Sequence, residues 1–261
     1  MAYDAHLHAD LYGEEAREPM LRKAFAEGID GVVAVSMDPA SCRTNEALAE
    51  RFPGRVLPAY GHHPEQPPLP PEALEALCAW IAERRDRPFA IGEVGLPYYA
   101  RQEAEQAGRP FDLAPYIAQL DRFVRLAKEL DRPIALHAVY EDADLALDLL
   151  ERHGVSKAHF HWFKGSPQTV SRIVRRGYSV SFTPDILYEP ETRRLAASFP
   201  LELVMVETDG PWPFEGPYAG KPTEPGMVRD VVREIALLRG LPEAETERAA
   251  AARTRAFYGF R

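Results

Sequence analysis

Short apolar runs alternate along the chain with longer segments whose apolar residues recur every three or four positions. The short runs fall at 3–8, 31–37, 56–62, 89–95, 133–138, 157–163, 178–183 and 203–209, and they read as β-strands. Between them lie amphipathic patterns near 17–28, 41–52, 71–84, 112–130, 141–153, 167–176, 190–199 and 223–239, which read as helices; a ninth near 242–257 closes the chain. Ser41 is the expected cap of the second helix, Pro71 sits in the first turn of the third, and Thr223 before Glu224 marks a later start. Gly28, Gly154 and Gly177 fall just past helix ends. About eight βα units in 261 residues predict an α/β fold, one (β/α)₈ barrel of the TIM type spanning 1–261. An open doubly wound sheet is the alternative. Such a sheet would bind a nucleotide on a glycine-rich first turn, and this first turn carries His6-Leu7-His8 instead.

In a barrel, catalytic groups gather where the strands end. His6 and His8 end the first strand, His62 and His63 the third, Glu93 the fourth, His137 the fifth and Asp209 the eighth, while His159 and His161 lie late in the sixth. Each alone is an ordinary residue at a strand end. Together they put most of the imidazoles on one rim, and only His153, at a helix end, reads as a surface residue. Strand alternation gives His6 and His8 one face, with Cα atoms roughly 6.6 Å apart at a rise of about 3.3 Å per residue. Imidazole nitrogens and carboxylates suit Zn²⁺, Mn²⁺ or similar ions. Four histidines with Glu93 and Asp209 exceed the needs of one ion, whereas two ions bridged by Glu93 would use them all. Asp209 would also hold the attacking water as general base. His159 sits one residue pair deeper than His161, so it and His62 are expected outside the ligand set, His159 in a supporting hydrogen bond.

Composition narrows the partners. The formal net charge of -9 argues against a wide basic nucleic-acid groove, but not against a small site where ions take the phosphate. The two cysteines, Cys42 and Cys78, form no Cys-x-x-Cys pair, which fits a reducing cytoplasm and no disulfide framework. Cys42 opens a helix, yet no catalytic partner accompanies it, so it reads as structural. Residues 1–20 lack an apolar core, and no apolar run reaches about 18 residues, so neither a signal peptide nor a membrane span is expected. No obligate protein partner is expected.

Six segments together resemble the TatD family of metal-dependent hydrolases, within the amidohydrolase superfamily. They are Asp4-Ala5-His6-Leu7-His8, Gly61-His62-His63-Pro64, Gly92-Glu93-Val94-Gly95-Leu96, Pro133-Ile134-Ala135-Leu136-His137, His161-Trp162-Phe163-Lys164-Gly165-Ser166 and Glu207-Thr208-Asp209-Gly210-Pro211, followed by Glu224-Pro225. The resemblance implies a distorted (β/α)₈ barrel with two divalent ions (Zn²⁺, Mn²⁺ or Mg²⁺) at the C-terminal ends of the strands. It implies His6, His8, Glu93, His137, His161 and Asp209 as ligands, and His63 beside the substrate phosphate. Family members with an assigned activity are mostly deoxyribonucleases, including 3′→5′ exonucleases, so DNA or short nucleic-acid ends are the implied substrate. The chain departs from the family where an Asp often follows Gly-Leu (here Pro97), and where Trp162 and Lys164 replace small residues. None of these changes touches a matched ligand.

The stretch from Pro97 to about Pro110 reads as the longest loop, a lid or substrate wall holding Tyr98, Tyr99, Arg101 and Arg109. Other rim loops carry Trp162, Lys164, Tyr188, Trp212, Phe214, Tyr218 and Lys221. Aromatics beside scattered cations suit a short single strand, with Arg101 and Lys164 as candidate phosphate contacts. The Arg172, Arg175 and Arg176 cluster reads as a solvated helix face. A phosphodiesterase leads. A small-molecule amidohydrolase cleaving an ester, lactone or amide is the runner-up, and a metal-bound scaffold without turnover comes third.

Overall fold

The computed structural model describes residues 1–260, and Arg261, the last residue of the expected domain, lies outside them. Among the described residues, eight strands pair in parallel in chain order: β1 (Ala2–Leu7), β2 (Ile29–Val35), β3 (Val56–Tyr60), β4 (Ala90–Gly95), β5 (Ile134–His137), β6 (Ala158–Phe160), β7 (Ser179–Phe182) and β8 (Val204–Val206). Beyond β8 the chain meets β1 again: Asp209 N donates to His6 O at 2.9 Å and His8 N to Gly210 O at 2.8 Å. Asp4, fully buried, accepts from Thr208 N at 3.0 Å and Thr208 Oγ1 at 2.5 Å across the same seam. The result is the expected (β/α)₈ barrel, nearly closed, with its last seam made by loop backbone and one aspartate.

Around it run α1 (Glu14–Ala26), α2 (Pro39–Arg51), α3 (Pro71–Ala82), α4 (Tyr98–Gln106), α5 (Ala114–Glu129), α6 (Glu141–His153), α7 (Pro167–Arg176), α8 (Pro190–Ser198), α9 (Val228–Arg239) and α10 (Glu243–Tyr258). No helix among the described residues is long and apolar enough to cross a membrane. Alternation along the strands sorts side chains into two cores. Val32, Ala34, Val56 and Tyr60 point out to the helices. Tyr3, Ala5, Val33, Val35, Leu57, Ala59, Ala90 and Met205 point inward, where Ala251, Tyr258 and Phe260 of the α10 region plug the barrel floor.

Three expectations shift. The stretch after β4 is mostly helix α4, because Tyr98–Gln106 is rich in helix formers between Pro97 and Gly108. Helix α2 begins at Pro39, and its cap is Asp38, which accepts from Ala40 N and Ser41 N; Ser41 lies inside. Thr223 caps nothing: a single 3₁₀ turn, Pro225–Met227, precedes α9. Pro71 does open α3, and Gly154 and Gly177 do end α6 and α7 in left-handed conformation.

Candidate metal centre

Two strand irregularities coincide with the site. β1 gains a residue against β2 between Asp4 and Leu7, around His6; β4 gains one against β5 between Ile91 and Val94, around Glu93. Such bulges re-aim side chains at a barrel rim. Glycines let the strands approach here. A Cβ on Gly61 would lie 2.6 Å from Glu93 O, and one on Gly95 would lie 1.9 Å from His137 O. Trp162 and Asp209 take left-handed φ values of 37° and 50°, a costly region for side chains other than Asn or Asp.

Glu93, fully buried, stands at the centre. Its Oε2 lies 3.0 Å from His6 Nε2 and 3.0 Å from His8 Nε2, and Asp209 Oδ1 is 3.4 Å from both nitrogens. Its Oε1 lies 2.9 Å from His137 Nδ1, 2.8 Å from His161 Nε2 and 3.3 Å from His63 Nε2. The six expected ligands therefore meet in one cluster, with His6, His8 and Asp209 beside Oε2 of Glu93 and His137 and His161 beside Oε1, where His63 also stands. Ligand atoms around one tetrahedral ion, with bonds of about 2.0–2.1 Å, sit about 3.3 Å from each other. Both sets have that spacing. The buried Nδ1 atoms of His6 and His8, and Oδ1 of Asp209, have no hydrogen-bond partner. His137 Nδ1 and His161 Nε2 lie 3.2 Å apart, a repulsive contact for two lone pairs unless a proton or a cation joins them. The donor set thus fits divalent ions. A third grouping, His6, His161 and Glu207, fits poorly. The His6 and His161 rings stack at 3.8 Å and 11°, so their in-plane lone pairs do not converge.

The remaining hydrogen bonds assign roles to the rings. His63 Nδ1 accepts from Glu65 N at 3.2 Å, so a neutral His63 carries its proton on Nε2 and is a donor. His137 turns Nε2 to Glu65 Oε1 at 3.1 Å, which leaves Nδ1 free toward Glu93. Glu65 is fixed in turn by Tyr99 N at 3.0 Å and Ala100 N at 2.7 Å, in the first turn of α4. Burial would raise the Glu93 pKa, but the surrounding imidazoles of His63, His161 and His6 hold it well below the usual carboxylate range. Burial likewise works against protonated His8 and His137, yet Asp209 with Glu93 lifts His8 to about 10, and Glu65 with Glu93 lifts His137 to about 9. The carboxylates demand positive charge, which a proton or a metal ion would supply.

Elsewhere the picture is mixed. His62 Nε2 faces Pro67 O at 3.1 Å, and His159 bonds Tyr258 and Ser181; neither stands among the clustered ligand atoms. Arg101 is tied to Asp142 at 2.6 Å and Glu141 at 3.1 Å rather than turned to the site. Lys164 Nζ lies 3.7 Å from Asp185 and 5.5 Å from the Trp162 ring centre. Half-buried His153 pairs with Asp121 at 2.8 Å instead of standing in solvent. Cys42 is buried against Gly61 O, and burial pushes its thiol up to about 11, as a structural thiol requires. Sequence reasoning passed over Glu65 and Glu207. Glu207 stood inside the Glu207-Thr208-Asp209 motif, two residues before Asp209, and Glu65 directly follows the Gly61-His62-His63-Pro64 motif.

Residues 3–259 match the family model for TatD-related DNases. An uncharacterized metal-dependent hydrolase of Haemophilus influenzae is 35% identical over 258 residues, covering 99% of each chain. The deoxyribonuclease TATDN3 of Homo sapiens is 31% identical over 248 residues, covering 92% of this chain and 87% of its own. The crystal structure of a TatD homolog from Escherichia coli is similar with a TM-score of 0.85 at 27% identity, covering 99% of this chain and 98% of that one.

Proposed function

The chain belongs to the TatD-related DNase family and is a metal-dependent hydrolase, and from that premise we propose that it cleaves phosphodiesters at DNA ends or in short nucleic acids with two divalent ions. The observation that carries this reading is the split of Glu93: Oε2 faces His6 and His8, Oε1 faces His137 and His161. One ion would be held by His6, His8, Glu93 and Asp209, the other by Glu93, His137 and His161. When bound, the pair would supply Lewis acidity to a phosphoryl oxygen and acidify water at neutral pH.

The chain's own groups do the rest. Asp209 Oδ1 has no hydrogen-bond donor and faces the His6/His8 side, so it can take the proton from an attacking water. His63, with its proton on Nε2, donates to a phosphate oxygen beside Glu93 Oε1. Lys164, which follows β6 and lies 3.7 Å from Asp185, is the candidate cation for that phosphate; Arg101 would reach it only by leaving Asp142. Tyr99 and Trp212, 52% and 57% exposed, follow β4 and β8, strands on opposite sides of an eight-stranded barrel. Two rings flanking the mouth suit bases on either side of a scissile phosphate. Single-stranded oligonucleotides, simple phosphodiesters, esters and lactones should be assayed with Mg²⁺, Mn²⁺ and Zn²⁺. Turnover of the oligonucleotide, shortened from its 3′ end, is expected. Turnover of an ester or lactone with no phosphodiester cleaved under any ion would overturn the proposal.

A further inference from the structure

We propose that Glu207 is the positioning residue that fixes the tautomer of His161, and that Trp162 N and Ser181 Oγ, the latter at the rim end of a buried hydrogen-bond chain, aim Glu207. The inference rests on reading His161 as an ion ligand through Nε2. Glu207 is fully buried, and both of its oxygens are engaged. Oε1 accepts from Trp162 N at 2.7 Å, and Oε2 accepts from Ser181 Oγ at 2.5 Å. Oε1 also faces His161 Nδ1 at 3.4 Å, a buried nitrogen that makes no hydrogen bond. A proton on Nδ1 directed at Glu207 leaves the Nε2 lone pair pointing at Glu93. Glu65 does the same for His137 from the opposite nitrogen. Carboxylates behind metal-binding imidazoles orient the ring and raise its basicity.

The chain behind Glu207 has one direction. A carboxylate only accepts, so Ser181 gives it the hydroxyl proton. Ser181 Oγ, its proton spent, accepts from His159 Nε2 at 2.6 Å. With a single proton on its ring, His159 then has a bare Nδ1, and Tyr258 Oη donates to it at 2.7 Å. Tyr258, His159, Ser181 and Glu207 are all buried. They link α10, which plugs the floor, to a side chain at the rim. A buried polar chain must be fully satisfied or it destabilises the core. Here Trp162 N and Ser181 Oγ each take one oxygen of Glu207, and every link is satisfied.

Glu207→Gln separates this role from mere packing, because the shape is kept. Trp162 N donates, so the Gln carbonyl must stay on that side and its NH₂ must donate to Ser181 Oγ. Ser181 then turns its proton to His159 Nε2, and the His159 ring proton moves to Nδ1. Two readouts follow on the full chain. In ¹⁵N-histidine NMR, the protonated nitrogen of His159 is Nε2 in the wild type and Nδ1 in Glu207→Gln. In calorimetric titration of the ion-stripped protein with Zn²⁺, Glu207→Leu, which leaves His161 Nδ1 without an acceptor, loses about 10–100-fold in affinity at one of two sites, and Glu207→Gln, whose carbonyl stays beside that nitrogen, restores most of it. Tyr258→Phe, which removes only the far end, changes that affinity less than about twofold, since Ser181 and Trp162 still hold Glu207. Should Glu207→Leu fail to fold, Ser181→Ala carries the test, with an affinity loss at the same site. Wild-type affinity in Glu207→Leu, or an equal loss in Tyr258→Phe, overturns the inference. A His161→Ala control tells the two failures apart: if it also binds Zn²⁺ as the wild type does, the ligand reading itself has failed.

Discussion

Asp209→Asn tests the proposed base with little risk to the fold. The backbone of Asp209 is pinned by its own N–H on His6 O at 2.9 Å and by Trp212 N on its carbonyl at 3.1 Å, and neither bond involves the side chain. Its φ of 50° is a region Asn also tolerates. The isosteric change therefore removes charge and basicity but not shape. Burial would raise the Asp209 pKa, but the neighbouring imidazoles of His8 and His6, each 3.4 Å from Oδ1, lower it, so the carboxylate is ionised and ready to accept a proton at neutral pH. General bases contribute about 10²–10⁴ in rate, which at about 1.36 kcal/mol per decade is roughly 3–5 kcal/mol of barrier. The assay is kcat for a 3′-labelled oligonucleotide at saturating Mn²⁺, with bound metal measured on the same sample. A loss of 10² or more with metal retained is expected. Asp209→Ala should match it in kcat but melt lower, because a left-handed Ala costs about 1–2 kcal/mol, or about 2–4 °C per kcal/mol in a chain of this size. A loss below about tenfold in Asp209→Asn, with full metal, would refute Asp209 as the base.

Gly95→Ala should destabilise near the upper limit for one substitution, about 4 kcal/mol, because its Cβ would lie 1.9 Å from His137 O; Gly177→Ala, in open space, should cost about 1 kcal/mol by thermal melting. Trp212→Ala should raise KM for an oligonucleotide about 5–150-fold, the equivalent of roughly 1–3 kcal/mol of stacking, while KM for a small phosphodiester stays unchanged; equal effects on both would remove it from base binding. The pH dependence follows from His137 and His8, raised to about 9 and about 10. Their contribution to stability is fully present below the unfolded histidine pKa of about 6.5 and is lost as pH rises through the folded values. Ion-stripped protein should thus melt progressively lower between pH 6.5 and 10, and Zn²⁺ should abolish that slope by replacing the protons. A flat profile for the stripped protein would show that these imidazoles are not held protonated.

The barrel was legible because its two periodicities are clean. Val32 to Val35 alternate between the two cores, and α5 and α6 bury one stripe each. The rim histidines were legible because strand ends are where a barrel concentrates chemistry. What escaped depends on contacts between residues far apart in sequence. Glu65 orients His137 across 72 positions, and Ser181 reaches Glu207 across 26. No local pattern encodes either. The bulges at His6 and Glu93 were equally hidden, since simple alternation treats both strands as regular. Helix α4 was masked by its flanking Pro97 and Gly108, although Ala, Arg, Gln and Glu within it favour a helix. Arg101, on that helix, reads as a substrate cation in sequence, but Asp142 and Glu141 engage it in the fold.

The central claim is that Glu93 divides two ion sites. Anomalous diffraction from crystals grown with Mn²⁺ or Zn²⁺ measures this directly. Two peaks are expected, about 3.5–4 Å apart, one among His6, His8 and Asp209, the other beside His137 and His161, with a Glu93 oxygen on each. A single peak, or two that leave Glu93 outside bonding distance, would contradict it.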